Sequence, residues 1–172
     1  MPILHISQLA GRLGLARPET GEALGLSWDI AATLEHWLDV VRTLDLAALV
    51  APTESRGRSI RNLTVNTFHP VGLLPDAFRN GRFDWDPDGD DQREAALRSA
   101  EEVVAYAERI RGGWTAFLLE QEDELALRDP AVSSPRGDVT FSELLASQRG
   151  HARFHLEQIE AATGLRTPGS GP

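Results

Sequence analysis

Apolar side chains recur at helical spacing in three separate stretches of this chain, and that rhythm constrains the fold more than any other feature. Ile30, Leu34, Trp37, Val41, Leu44 and Ala48 lie alternately four and three residues apart. Val103, Ala107, Ile110, Trp114 and Phe117 repeat the pattern, and Phe141, Leu145, Ala152, Leu156 and Ile159 share one face near the C-terminus. A helix turns once in 3.6 residues, so each set forms an inward stripe with polar residues opposite.

Local signals set the limits of four predicted helices. The first runs from about Ser27 to Val50, where Ala51-Pro52-Thr53 ends it. The second spans about Ser59 to Phe68, and His69-Pro70 should kink or end it, because proline lacks an N–H for the residue four back. The third covers about Gln92 to Leu127, with Gly112-Gly113 costing about 1 kcal/mol each relative to alanine. A break or a close helix approach is expected at that pair. Thr140-Phe141-Ser142-Glu143 has the form of a capping box and starts the fourth helix, which runs to about Ala162. Four helices with two long connections predict an all-α four-helix bundle over residues 27–163. A Gly-rich irregular arm precedes it over 1–26, with a short helix near Ser7–Leu15, and a tail follows over 164–172.

Composition narrows the chemistry. The net charge of −9 disfavours a nucleic-acid backbone as partner, since that needs a basic surface. No run of 18 apolar residues is present, so no membrane span is expected. The first residues, Met1-Pro2-Ile3-Leu4-His5, lack the basic and apolar regions of a secretory signal, which makes a cytoplasmic location the expectation. There is no cysteine, which excludes a cysteine nucleophile and thiolate metal ligands. All 17 basic residues are arginine, so Schiff-base catalysis and a phosphate-loop lysine are excluded too. A thiol or amine taking part in a reaction would have to arrive on a substrate.

The fourth helix carries the candidate site. Beside its apolar stripe, Gln148, His151, His155 and Gln158 follow one another at spacings of three, four and three. Polar groups at the edge of a core need partners, because an unpaired buried donor or acceptor costs about 1–3 kcal/mol. Histidines at i and i+4 project side by side and can share one metal ion. The same spacing also arises in solvated or core-bonded pairs. The motif is not HExxH, since position 152 is Ala. A third ligand should come from another helix. His69 is the first candidate, with Asn66 one turn before it; His36 and His5 are weaker ones. The run from Asp84 to Gly89 begins like a calcium loop, but its twelfth position is Ala95 where a bidentate Glu is needed. It reads better as a solvated connection, with Asp91 capping the third helix and Glu94 completing the box. Trp85, in that connection, is a candidate pocket lid; Tyr106, the only tyrosine, falls outside the site by spacing.

The segment from Phe141 to Ile159, with His151, His155 and Gln158, resembles the last helix of the DinB-like superfamily. Gly57-Arg58-Ser59-Ile60-Arg61-Asn62-Leu63 resembles the start of that family's second helix, and the resemblance covers roughly residues 27–163. It implies an up-and-down four-helix bundle, often a homodimer. It also implies a divalent metal, zinc or nickel, held by three histidines, two of them from the last helix and one from the second. Members include thiol S-transferases using bacillithiol or mycothiol and a mycothiol-dependent maleylpyruvate isomerase. The expectation for this chain is a metal-dependent transferase that moves a low-molecular-weight thiol onto an electrophilic small molecule, or a thiol-assisted isomerase. The alternative is a non-catalytic metal- or small-molecule-binding module. The family's third histidine falls at Asn66, and the nearest histidine is His69. The expected ligands are therefore His69, His151 and His155, with Asn66, Gln148, Gln158 and Trp85 around them.

Overall fold

The protein is described by a computed structural model covering residues 21–54 and 56–165. The predicted Ser7–Leu15 helix, His5 and most of the predicted tail lie outside the described residues. Those residues are mostly helical. Among them, no helix is long and apolar enough to cross a membrane.

The first helix, α1 (Glu22–Val41), begins before its strongest apolar spacing, because Ala23, Leu24 and Leu26 are also buried. It stops earlier than predicted. Asp45 leaves the helical conformation and accepts a 2.8 Å hydrogen bond from the Ala48 amide, opening the short α2 (Leu46–Val50). A short acidic side chain competes for backbone N–H groups in this way, so it favours a cap over a helix interior.

The second long helix, α3 (Ile60–Asn80), opens as predicted, with Ser59 accepting from the Asn62 amide at 2.9 Å. It does not end at His69-Pro70 but runs through both Pro70 and Pro75. Each proline costs about 3 kcal/mol in a helix interior. Val71, Leu74, Ala77 and Phe78 lie beyond Pro70 and are buried. Burying a side chain such as Val, Leu or Phe returns about 1.5–3 kcal/mol, so tertiary packing outweighs the local penalty. His69 thus sits in mid-helix. Gly81 closes α3 at φ 68°, a left-handed conformation that glycine adopts without strain.

The predicted third helix is three helices. A 3-10 turn (Pro87–Gly89) leads into α4 (Asp90–Ala96), followed by α5 (Ala100–Glu120) and α6 (Glu122–Leu127). Gly112 and Gly113 lie inside α5 without breaking it, and no atom approaches within 4 Å of where their Cβ atoms would be. The pair marks neither a break nor a close approach. Asp91 does not cap α4, and Glu94 completes no box. Glu94 instead reaches across to the start of α3, accepting from Ser59 Oγ at 2.8 Å, Arg61 Nε at 3.1 Å and Asn62 Nδ2 at 2.7 Å.

The connection between α6 and the last helix contains a hairpin, β1 (Ala131–Ser134) paired antiparallel with β2 (Gly137–Thr140), with Val132 opposite Val139. Val132 is fully buried and anchors it. Phe83 N and Ser133 N bond back to Ser133 O and Gly81 O, which ties the segment after α3 to the hairpin. The predicted capping box is present: Thr140 and Glu143 satisfy each other's backbone amides at the start of α7 (Phe141–Thr163). α1 packs on α7 and α5, and α3 packs on α5 and α7. Trp37 and Trp114 are buried among them, their indole N–H groups donating to Thr64 Oγ1 and to the Ser27 carbonyl.

Candidate functional site

The predicted polar stripe of α7 faces α3 and the segment after it. Gln148 and His155 are buried, and His151 and Gln158 are half-buried. The rings of His151 and His155 are 4.6 Å apart, centroid to centroid, at an interplanar angle of 67°. The indole of Trp85 lies 5.3 Å from the His151 ring. The hairpin and the Phe83–Pro87 segment stand over this part of α7 and border a half-open cavity of about 660 Å³. Phe83, Trp85, Val139, Leu144 and Phe154 supply apolar walls, while Gln148, His151 and His155 supply polar atoms. Trp85 therefore lies where a lid was expected. Arg136, at the hairpin turn, lines the same cavity and makes no ion pair with a described residue. Glu143 also lines it, but its carboxylate is engaged in the capping box.

The other predicted residues are organised by one that sequence reasoning missed. Asp90, at the start of α4, is only 2% exposed. Its carboxylate accepts from His69 Nδ1 at 3.0 Å, from Asn66 Nδ2 at 3.0 Å and, more weakly, from Arg93 at 3.4 Å. Burial pushes its pKa up, but the hydrogen bonds from His69 and Asn66 and the charge of His69 outweigh that and hold it below the usual value. The Trp85 indole is close enough to contribute to this, although its N–H has no well-aligned acceptor. Tyr106 lies near enough that burial and the Asp90 charge push its hydroxyl up to about 12, so it stays protonated. In the sequence Asp90 is one of five aspartates between Asp84 and Asp91, and nothing local sets it apart.

Asn66 links this acid to the cavity. Its Oδ1 faces His151 Nε2 at 3.0 Å, and Arg58 reaches the same oxygen at 3.5 Å. On the other side of the site, Gln158 Oε1 faces His155 Nδ1 at 2.6 Å. His36 is elsewhere, 2.8 Å from Glu160, tying α1 to the end of α7.

Both cavity histidines are uncharged near neutral pH. Burial pushes His151 down to about 4, helped by repulsion from His155 when that ring is protonated and from Arg58 and Arg136, and opposed by Asp90. Burial also lowers His155, with Arg58 acting the same way and the Gln158 contact against it. Neutral imidazoles are good proton acceptors and good metal ligands.

The donor set does not fit a three-histidine ion. His69 turns to Asp90 and does not line the cavity, while Asn66 meets His151. Among the described residues, no group of three His, Cys, Asp or Glu side chains is disposed to hold a metal ion. The residue opposite the histidine pair is a neutral amide, and zinc draws its ligands from Cys, His, Asp and Glu. The expected ligand set of His69, His151 and His155 is thus not brought together among the described residues: His151 and His155 line the cavity and His69 does not. No family model, curated protein or solved structure matches this chain.

Proposed function

We propose that this protein binds a small, largely apolar organic molecule in the cavity between the hairpin and α7, and that His155 serves there as proton acceptor. The reading is carried by one observation: two uncharged imidazoles share an apolar cavity of about 660 Å³, within the usual range for small-molecule sites. A four-helix bundle of the DinB-like kind is part of the same proposal, supported by the mutual packing of α1, α3, α5 and α7.

The His155 Nδ1 position beside the Gln158 carbonyl favours a proton on Nδ1 and leaves Nε2 with a lone pair. In an enzymatic reaction that lone pair takes the proton of a low-molecular-weight thiol. The thiolate sulfur bonds to an electrophilic carbon of the second substrate, and the His155 imidazolium returns the proton to the resulting carbanion or leaving group. The chain has no cysteine of its own, so the thiol must come from outside. General-base assistance of this kind contributes typically 10²–10⁴-fold.

The test is conjugation of monochlorobimane with cysteine, glutathione and a sugar-linked cysteinyl thiol, in the presence of a chelator. Turnover that falls at least tenfold in His155→Ala supports catalysis. Saturable quenching of tryptophan fluorescence by small aromatics, lost in Trp85→Phe and without turnover, supports the non-catalytic binding module instead. Absence of both turnover and binding refutes the reading.

A further inference from the structure

We infer that Asn66 makes this a metal-free imidazole site, by fixing the proton of His151 on Nε2, the nitrogen that an ion held jointly with position 66 would take. The inference stands apart from the identity of any bound molecule. A carboxylate only accepts hydrogen bonds, so the Asn66 atom that faces Asp90 at 3.0 Å is its amide nitrogen. The carbonyl oxygen of Asn66 is then the atom facing His151 Nε2 at 3.0 Å, and Arg58 donates to the same oxygen. A carbonyl oxygen also only accepts. His151 Nε2 therefore carries the hydrogen, and its lone pair is on Nδ1.

The backbone at position 66 is well placed for a ligand. Two donors on one tetrahedral zinc ion, each about 2.0–2.1 Å from it, lie roughly 3.3 Å apart. The observed 3.0 Å between Asn66 Oδ1 and His151 Nε2 is close to that separation. The side-chain chemistry at 66 is what differs. To free His151 Nε2 for an ion, Asn66 would have to turn over. Its oxygen would then face the Asp90 carboxylate, acceptor against acceptor, in a place that is 2% exposed. His69 does not line the cavity beside His151 and His155.

Two measurements test this. In the first, Co(II) and Zn(II) are titrated into the purified full chain and into Asn66→His, followed by calorimetry and by the visible absorption of Co(II). The wild type should show no stoichiometric binding at micromolar metal. Asn66→His should take up one equivalent, lost again when His155→Ala is added. One equivalent bound by the wild type and dependent on His151 and His155 would overturn the inference, as would a folded Asn66→His that binds none. The second measurement needs no variant. Long-range proton–nitrogen correlation NMR of the wild type should show His151 protonated at Nε2. Protonation at Nδ1 instead would refute the assignment.

Discussion

Replacing Asp90 with asparagine keeps the shape of the buried side chain and removes its charge and one acceptor. In the wild type, two donors, His69 Nδ1 and Asn66 Nδ2, each lie 3.0 Å from a separate carboxylate oxygen. An amide offers a single oxygen, so one of these hydrogen bonds is lost and an N–H faces a donor. A hydrogen bond to a charged group is worth about 1.5–3 kcal/mol, and a stranded buried donor costs about 1–3 kcal/mol. Not having to bury a carboxylate offsets part of this, so the expected net loss at pH 7 is about 2–4 kcal/mol. For a domain whose total stability is about 5–15 kcal/mol that is a large fraction. The sign of its pH dependence follows from linkage. The folded-state pKa of Asp90 is depressed, so its contribution is present above the unfolded value and is lost as pH falls through the folded one. Urea unfolding of wild type and Asp90→Asn at pH 7 and at about pH 3 should show a gap that closes in acid. A gap under about 0.5 kcal/mol at pH 7, or one that does not change with pH, would show that Asp90 is not the hub its contacts suggest.

Acid should also act through the cavity histidines. His151 is held at about 4, below the unfolded value of about 6.5, so its contribution is complete above 6.5 and disappears as pH falls towards 4. At 1.36 kcal/mol per unit this amounts to about 3 kcal/mol, and His155 acts in the same direction. His151→Gln should flatten the stability profile between pH 7 and 4; an unchanged slope would contradict it. Thr140→Ala removes the cap oxygen 3.2 Å from the Glu143 amide and should cost about 1 kcal/mol in urea unfolding, without changing the imidazole signals.

Much of the helical content was legible in the sequence because its signals are local. The stripe of α7 and the Thr140–Glu143 box need only residues three or four apart, and both are present as read. The polar row of Gln148, His151, His155 and Gln158 was visible for the same reason. Where the prediction missed, the cause was a competing local cap in one place and a distant partner in the others. Asp45 broke the first helix by capping a second one. α3 ran through Pro70 because Val71, Leu74 and Phe78 had a core to enter. The hairpin formed because Val132 found a buried place and because the segment at Gly81–Phe83 offered its strand a hydrogen-bonding neighbour.

The candidate site divides along the same line. Sequence alone determined that two imidazoles share a face of the last helix, since 3.6 residues per turn allows nothing else for His151 and His155 in one helix. It could not determine what faces them. That depended on Asp90, 24 residues from Asn66 along the chain, being carried by α4 into the side of α3. Glu94 fastens α4 there through Ser59, Arg61 and Asn62. Once a carboxylate is buried at that point, it engages His69 Nδ1 and sets which way the Asn66 amide faces. The protonation pattern of the site is a property of the packing, because hydrogen-bond donors and acceptors are matched in space and not along the chain.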